Sequence, residues 1–231
     1  VVRVPDARLE KIAAFVQPQK VVFANMEFVD IAGLISGASC GEGLGNRFLA
    51  HIREVDALAH VVRAFEDDEI VHVADQIDPL SDIESIQMEL ALADVETLNH
   101  AVERAQKASK VGDKTQAQLL RIFERARTHL DHALNLRSAS LNQKEAATLE
   151  PLCLLTSKPV VYIANVGESQ LASARHVDRI REHVAAEQAE IVVINARIEE
   201  EIASLAPSDR ADFLKGMGLE ESGLDRVIRS G

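Results

Sequence analysis

Asp30-Ile31-Ala32-Gly33 closes an apolar run that begins at Met26. An apolar strand ending in Asp-x-x-Gly brings a carboxylate near a divalent cation and a glycine N–H near a terminal phosphate, as in nucleoside triphosphatases. The same four residues also suit an ordinary strand-to-loop turn. Five of the eleven glycines, Gly33, Gly37, Gly41, Gly43 and Gly45, fall in this loop. They make either a plain flexible connection or a switch loop that orders around a γ-phosphate. A dinucleotide fingerprint is a third option, because Gly41-Glu42-Gly43-Leu44-Gly45 precedes a helical stretch and Glu66, Asp67 and Asp68 follow. A dinucleotide turn must leave its strand at once, whereas about ten residues intervene here and the spacing is Gly-x-Gly-x-Gly. That option is rejected. His129 and His132 share a helix face with Asp131, which reads as a solvated surface.

These residues need elements to hold them. Apolar, β-rich runs at 26–31, 57–65, 159–165 and 190–195 alternate with helical stretches at 45–54, 173–188 and 198–205. Continuous apolar strands separated by helices predict a parallel sheet covered on both faces. The middle of the chain has a different period. Ile83, Ile86, Leu90, Ala93, Thr97, Leu98, Ala101, Val102 and Ala105 recur at three-and-four spacing, and Leu119, Leu120, Phe123, Ala126, Leu130 and Ala133 resume it. Gly112 suits a helix C-terminus and Asp113 an N-cap, with Gln116 placed for a capping box. An antiparallel helical hairpin is predicted. Its tip, residues 103–127, holds seven basic and three acidic residues, a net +4 in a chain of net −12. This is either a solvated face or an arm that meets nucleic acid or an acidic partner.

The bulk properties narrow the class. A chain of 231 residues, 47% apolar and 27% charged, is an ordinary globular composition. No run approaches the ~18 apolar residues of a membrane span, and residues 1–6 lack the pattern of a signal peptide. Val1 in place of an initiator Met is expected if the chain starts inside a longer protein. Cys40 and Cys153 are too few for a disulfide scaffold, which points to the cytoplasm. An acidic chain with no Trp and one Tyr is a poor base-stacking platform.

Taken together, several runs resemble the YchF family of Obg-like ATPases, within the TRAFAC class of P-loop NTPases. They are Met26-Glu27-Phe28-Val29-Asp30-Ile31-Ala32-Gly33-Leu34, Ser36-Gly37-Ala38-Ser39-Cys40-Gly41-Glu42-Gly43-Leu44-Gly45-Asn46-Arg47-Phe48-Leu49, Ile52-Arg53-Glu54, His60-Val61-Val62-Arg63, Glu89-Leu90-Ala91-Leu92-Ala93-Asp94 and Tyr162-Ile163-Ala164-Asn165-Val166. The resemblance covers essentially the whole chain. It implies an α/β fold: a mostly parallel sheet of a G-like P-loop NTPase domain with an inserted antiparallel α-helical coiled-coil hairpin. The expected divisions are 1–81, nucleotide-binding domain, first part; 82–141, helical insertion; and 142–231, nucleotide-binding domain, second part. The family's P-loop, Gly-x-x-x-x-Gly-Lys-Ser/Thr, occurs nowhere in these residues. The chain is therefore expected to be a central stretch lacking that segment and the family's C-terminal TGS domain.

The resemblance also implies roles. Asp30 would hold Mg²⁺ through water, and Gly33 would meet the γ-phosphate of ATP, the substrate. Leu34 stands where Ras-like enzymes carry a water-positioning Gln, so another group must orient the water. His72 aligns with a family histidine in a mobile loop, where imidazole positions or activates water. Gly37, Gly41, Gly43 and Gly45 belong to the switch loop. Asn165-Val166-Gly167-Glu168 stands in place of the guanine clamp Asn-Lys-x-Asp. Its altered carboxylate loses the bidentate fit to guanine, in line with ATP use beside GTP. Ala196, in Asn195-Ala196-Arg197, aligns with a second base-contacting loop. The implied partner is the ribosome, through the large subunit and its rRNA. Arg104, Lys107, Lys110, Lys114, Arg121, Arg125 and Arg127 are the arm residues placed for phosphate, with no DNA specificity and no membrane expected. The competing expectation is a truncated, non-catalytic module that binds ribosome, RNA or protein.

Overall fold

The computed structural model describes residues 1–31, 44–66, 77–109, 114–132, 134–168, 175–187 and 189–230. Three parallel strands form the body: β1 (Leu58–Arg63), β2 (Val160–Asn165) and β3 (Glu190–Ile194), in the order β1-β2-β3. Leu58 pairs with Val160 and Arg63 with Asn165, while Asn165 also pairs with Ile194, so the three C-terminal ends are level. Tyr162, Ala164 and Val166 face one side, where helix α1 (Arg175–Ala186) adds Val177, Ile180 and Val184 to a single core. Val161, Ile163 and Val192 face the other, against Val227 of helix α2 (Gly223–Ser230). Sheet faces covered by helices on both sides explain why the strands read as continuous apolar runs.

The run at 26–31 departs from expectation. Only Asn25–Met26 is strand, paired antiparallel with Val2–Arg3 in a separate two-stranded sheet. Residues 27–30 are exposed and irregular, with Phe28 41% and Val29 52% accessible. Apolar sequence favours a strand, but a strand persists only with a hydrogen-bonding neighbour, and among the described residues 27–30 gain none. Asp30 therefore ends an irregular segment and not a strand. A helix at Ala7–Val16, which the periodicity did not reveal, has no buried residue. Asp6 caps it by accepting from the Arg8 amide at 2.9 Å.

Helix α3 (Pro79–Ser109) runs 31 residues, about 46 Å at ~1.5 Å per residue. It returns as α4 (Lys114–Asp131). Three cores share α3 in sequence. Ile83 packs into the sheet core, Leu90 and Ala93 against Leu49 and Ile52 of helix α5 (Leu44–Glu54), and Leu98 to Ala105 against Phe123, Ala126 and Leu130 of α4. The three-and-four spacing is thus one stripe that changes partner twice. Residues 134–154 close the base of the hairpin through Leu136, Leu149 and Leu154.

Two polar side chains fix the passage back to the sheet. Asp94 is fully buried on α3 and accepts from the Leu155 amide at 2.8 Å, the Thr156 amide at 2.8 Å and the Thr156 hydroxyl at 2.7 Å. Lys158 donates to the carbonyls of Arg53 and Val55, satisfying the C-terminal end of α5. These contacts set the approach of the chain to β2.

Candidate functional site

The level C-terminal ends of β2 and β3 present two short loops side by side, the position at which open α/β sheets bind ligands. Three hydrogen bonds brace them. Asn165 Oδ1 accepts from the Ala196 amide at 3.0 Å. Asn195 Nδ2 donates to the Val166 carbonyl at 2.8 Å, and Asn195 Oδ1 accepts from the Ile198 amide at 2.9 Å. Asn195 is thereby the N-cap of helix α6 (Ala196–Ser204) and a strut between the loops. Glu199, one turn into α6, accepts from the Gly223 amide at 2.7 Å and the Leu224 amide at 3.1 Å, which holds the N-terminus of α2. A Cβ on Gly223 would lie 2.6 Å from Ile194 Cγ2 and 2.8 Å from Glu199 Oε1, so this approach requires glycine.

Exposure varies across this region. Val166 is buried in the sheet core, so any contact it makes with a ligand comes from its backbone. Glu168 and Ala196 are exposed, and Asn165 is half-buried. Asn165 and Ala196 meet directly, and Glu168 is exposed three residues beyond Asn165. Asn195 is the residue that sequence reasoning missed as a strut. Its signal was its N-cap chemistry ahead of an apolar period.

The remaining candidates divide. Asp30 is exposed at the end of a described segment. Gly33, Leu34, Gly37, Gly41, Gly43 and His72 lie outside the described residues, as does Lys110; Gly45 lies in α5. In the arm, Lys107 and Arg121 are exposed, and Arg104 donates to the His100 carbonyl at 3.2 Å. Arg127 reaches across the hairpin to Asn99 at 3.3 Å. Arg125 sits at the arm's base, ion-paired with Glu145 and donating to the Ser140 carbonyl at 2.8 Å. It is therefore engaged in the fold. Lys114 begins α4. His129 is more than a solvated residue: its Nε2 lies 3.2 Å from the Asn135 carbonyl and helps close the end of the arm.

Comparison with known proteins agrees with this architecture. A family profile described as 50S ribosome-binding GTPase matches residues 10–94. The ribosome-binding ATPase YchF of Haemophilus influenzae is 49% identical over 231 residues, covering all of this chain and 64% of that protein. Its Bacillus subtilis counterpart is 45% identical, with the same two coverages. A solved structure of the Schizosaccharomyces pombe YchF GTPase superposes with a TM-score of 0.86 at 30% identity, over all of this chain and 63% of that one. The chain thus spans a little under two thirds of the relatives it matches. Identity of this extent, unbroken from end to end and joined to the same fold, makes the chain similar throughout to a stretch of the YchF proteins.

Proposed function

We propose that the chain is the central portion of a ribosome-associated, cytoplasmic YchF-type nucleoside triphosphatase that binds and hydrolyses ATP. The observation that carries this reading is the braced pair of loops at the ends of β2 and β3. There Asn165-Val166-Gly167-Glu168 replaces the guanine clamp beside Ala196. Guanine offers N1–H and an N2 amino group to a short carboxylate, whereas adenine has a lone pair at N1 and no N2 amino group. A longer Glu168 after Val166 no longer selects for guanine. GTP is expected to bind as well, without preference.

The phosphates need more than these loops supply. A P-loop cradles β- and γ-phosphates with backbone amides and a lysine, and these 231 residues contain none. Asp30 fits Mg²⁺ as a single exposed carboxylate, since that ion keeps several waters and takes one or two carboxylates beside phosphate oxygens. When bound, Mg²⁺ would neutralise charge on the transferring phosphoryl group. Gly33 would meet the γ-phosphate, His72 would orient the attacking water in place of the side chain that Leu34 lacks, and the glycine loop would order around them. The arm would contact rRNA of the large subunit through Arg104, Lys107, Lys110, Lys114, Arg121 and Arg127, with Arg125 bracing its base.

Joined to the P-loop segment that the family carries, the chain is expected to hydrolyse ATP with Mg²⁺. Asp30→Ala should abolish that turnover. His72→Ala should lower it while leaving ATP affinity nearly intact, because its role is on water and not on nucleotide. Unchanged single-turnover hydrolysis in the histidine variant would remove His72 from the mechanism. The competing reading is a non-catalytic ribosome-, RNA- or protein-binding module. It predicts no hydrolysis even in the joined protein.

A further inference from the structure

Glu187, immediately after α1, lies at the joint between arm and body, with its side chain 12% exposed. Gln87 of α3 donates to its Oε1 at 2.6 Å, and Asn135, in the segment that follows α4 at the hairpin's base, donates to the same oxygen at 3.0 Å. The Tyr162 hydroxyl on β2 donates to Oε2 at 2.9 Å and accepts from Gln87 at 2.7 Å. Arg137 approaches Oε2 at 3.9 Å and His183 approaches Oε1 at 3.5 Å. The outgoing helix, the segment that closes the hairpin's base and the central strand therefore converge on one carboxylate. Apolar packing joins arm and body in steps: one cluster belongs to the sheet and another to the arm with residues 134–154, and between them Leu90 and Ala93 of α3 pack with Leu49, Ile52 and Leu155.

We propose that Glu187 is a positioning residue that fixes the angle of the arm and couples it to the strand leading into the candidate base loop. Tyr162 precedes Asn165 by three residues on β2, so a shift at the joint moves the strand that carries Asn165. The lever is long. From Gln87 to Ser109 the helix extends about 33 Å, and a tilt of roughly 5° displaces the tip by about 3 Å. A hydrogen-bonded carboxylate suits this duty because it fixes three elements in direction, which apolar packing does not. The positional part stands without the nucleotide reading; the link to the base loop rests on it.

The test uses the whole chain with both cysteines replaced by serine and spin labels at Gln106→Cys on the arm and Ser204→Cys on the body. Double electron–electron resonance should give one narrow distance distribution in the parent. Glu187→Ala should broaden it, and Tyr162→Phe and Asn135→Ala, each removing one bond, should broaden it less. Ile180→Val, which trims the sheet core without touching the network, should lower the melting temperature and leave the width unchanged. Amide exchange across residues 163–168 should rise in Glu187→Ala and not in Ile180→Val. If Glu187→Ala does not fold, the two milder variants carry the comparison. A width unchanged in every network variant would overturn the positional claim. Broadening without faster exchange at 163–168 would overturn the coupling, and neither readout depends on nucleotide binding.

Discussion

His60 sits on β1 with its ring 5.4 Å from that of Tyr162. Burial, aided by the Arg137 guanidinium and opposed by Asp82 and Glu187, holds its pKa down at about 4 against an ordinary 6.5. The folded state therefore prefers the neutral ring. The stability this contributes is complete above the unfolded value and is lost as pH falls from about 6.5 toward 4, at most about 3 kcal/mol. Asp94 titrates in the opposite sense. Burial pushes its carboxyl up against the pull of Thr156 and Leu155, so its burden on the fold grows as pH rises past the ordinary carboxylate value. Urea midpoints at pH 7 and pH 5, wild type against His60→Gln, separate the two: the variant should lose less stability on acidification. Equal losses would mean that His60 protonates without cost. Such residue-level facts were the least legible in the sequence. A buried Val166 and a strut at Asn195 depend on neighbours that meet only after the sheet forms.

At the scale of elements, periodicity carried most of the information. The stripe from Ile83 to Ala105 predicted the outgoing helix, and the structure runs it from Pro79 to Ser109. The runs at 57–65, 159–165 and 190–195 became the three parallel strands. The run at 26–31 did not, because a sequence states an appetite for pairing and not the presence of a partner. The arm's basic residues allow a direct prediction. Reversal of Lys107, Lys110 and Lys114 to Glu should cut ribosome association without unfolding the hairpin, whose apolar seam lies elsewhere. Binding through phosphate contacts releases counterions, so wild-type association should also weaken steeply with salt. Co-sedimentation across a salt series checks both. Equal pelleting of wild type and variant at every salt would return the basic tip to a solvated face.

For the whole molecule, an acidic body carries a basic arm, and the strand ends of the sheet are level. The body's net negative charge repels RNA at long range, which leaves the tip as the surface able to lead. Family resemblance made the architecture legible, since its motifs extend along the full chain. The altered base loop, Asn165-Val166-Gly167-Glu168, was equally visible, but its brace to Ala196 and Asn195 was not. On the proposed reading, nucleotide choice rests on that loop and not on the arm. The most direct measurement is a competition titration of ATP and GTP, with Mg²⁺, on the chain joined to the family's P-loop segment. Binding of ATP at least as tight as that of GTP is the predicted result; a strong preference for GTP, or no saturable binding of either, would contradict it.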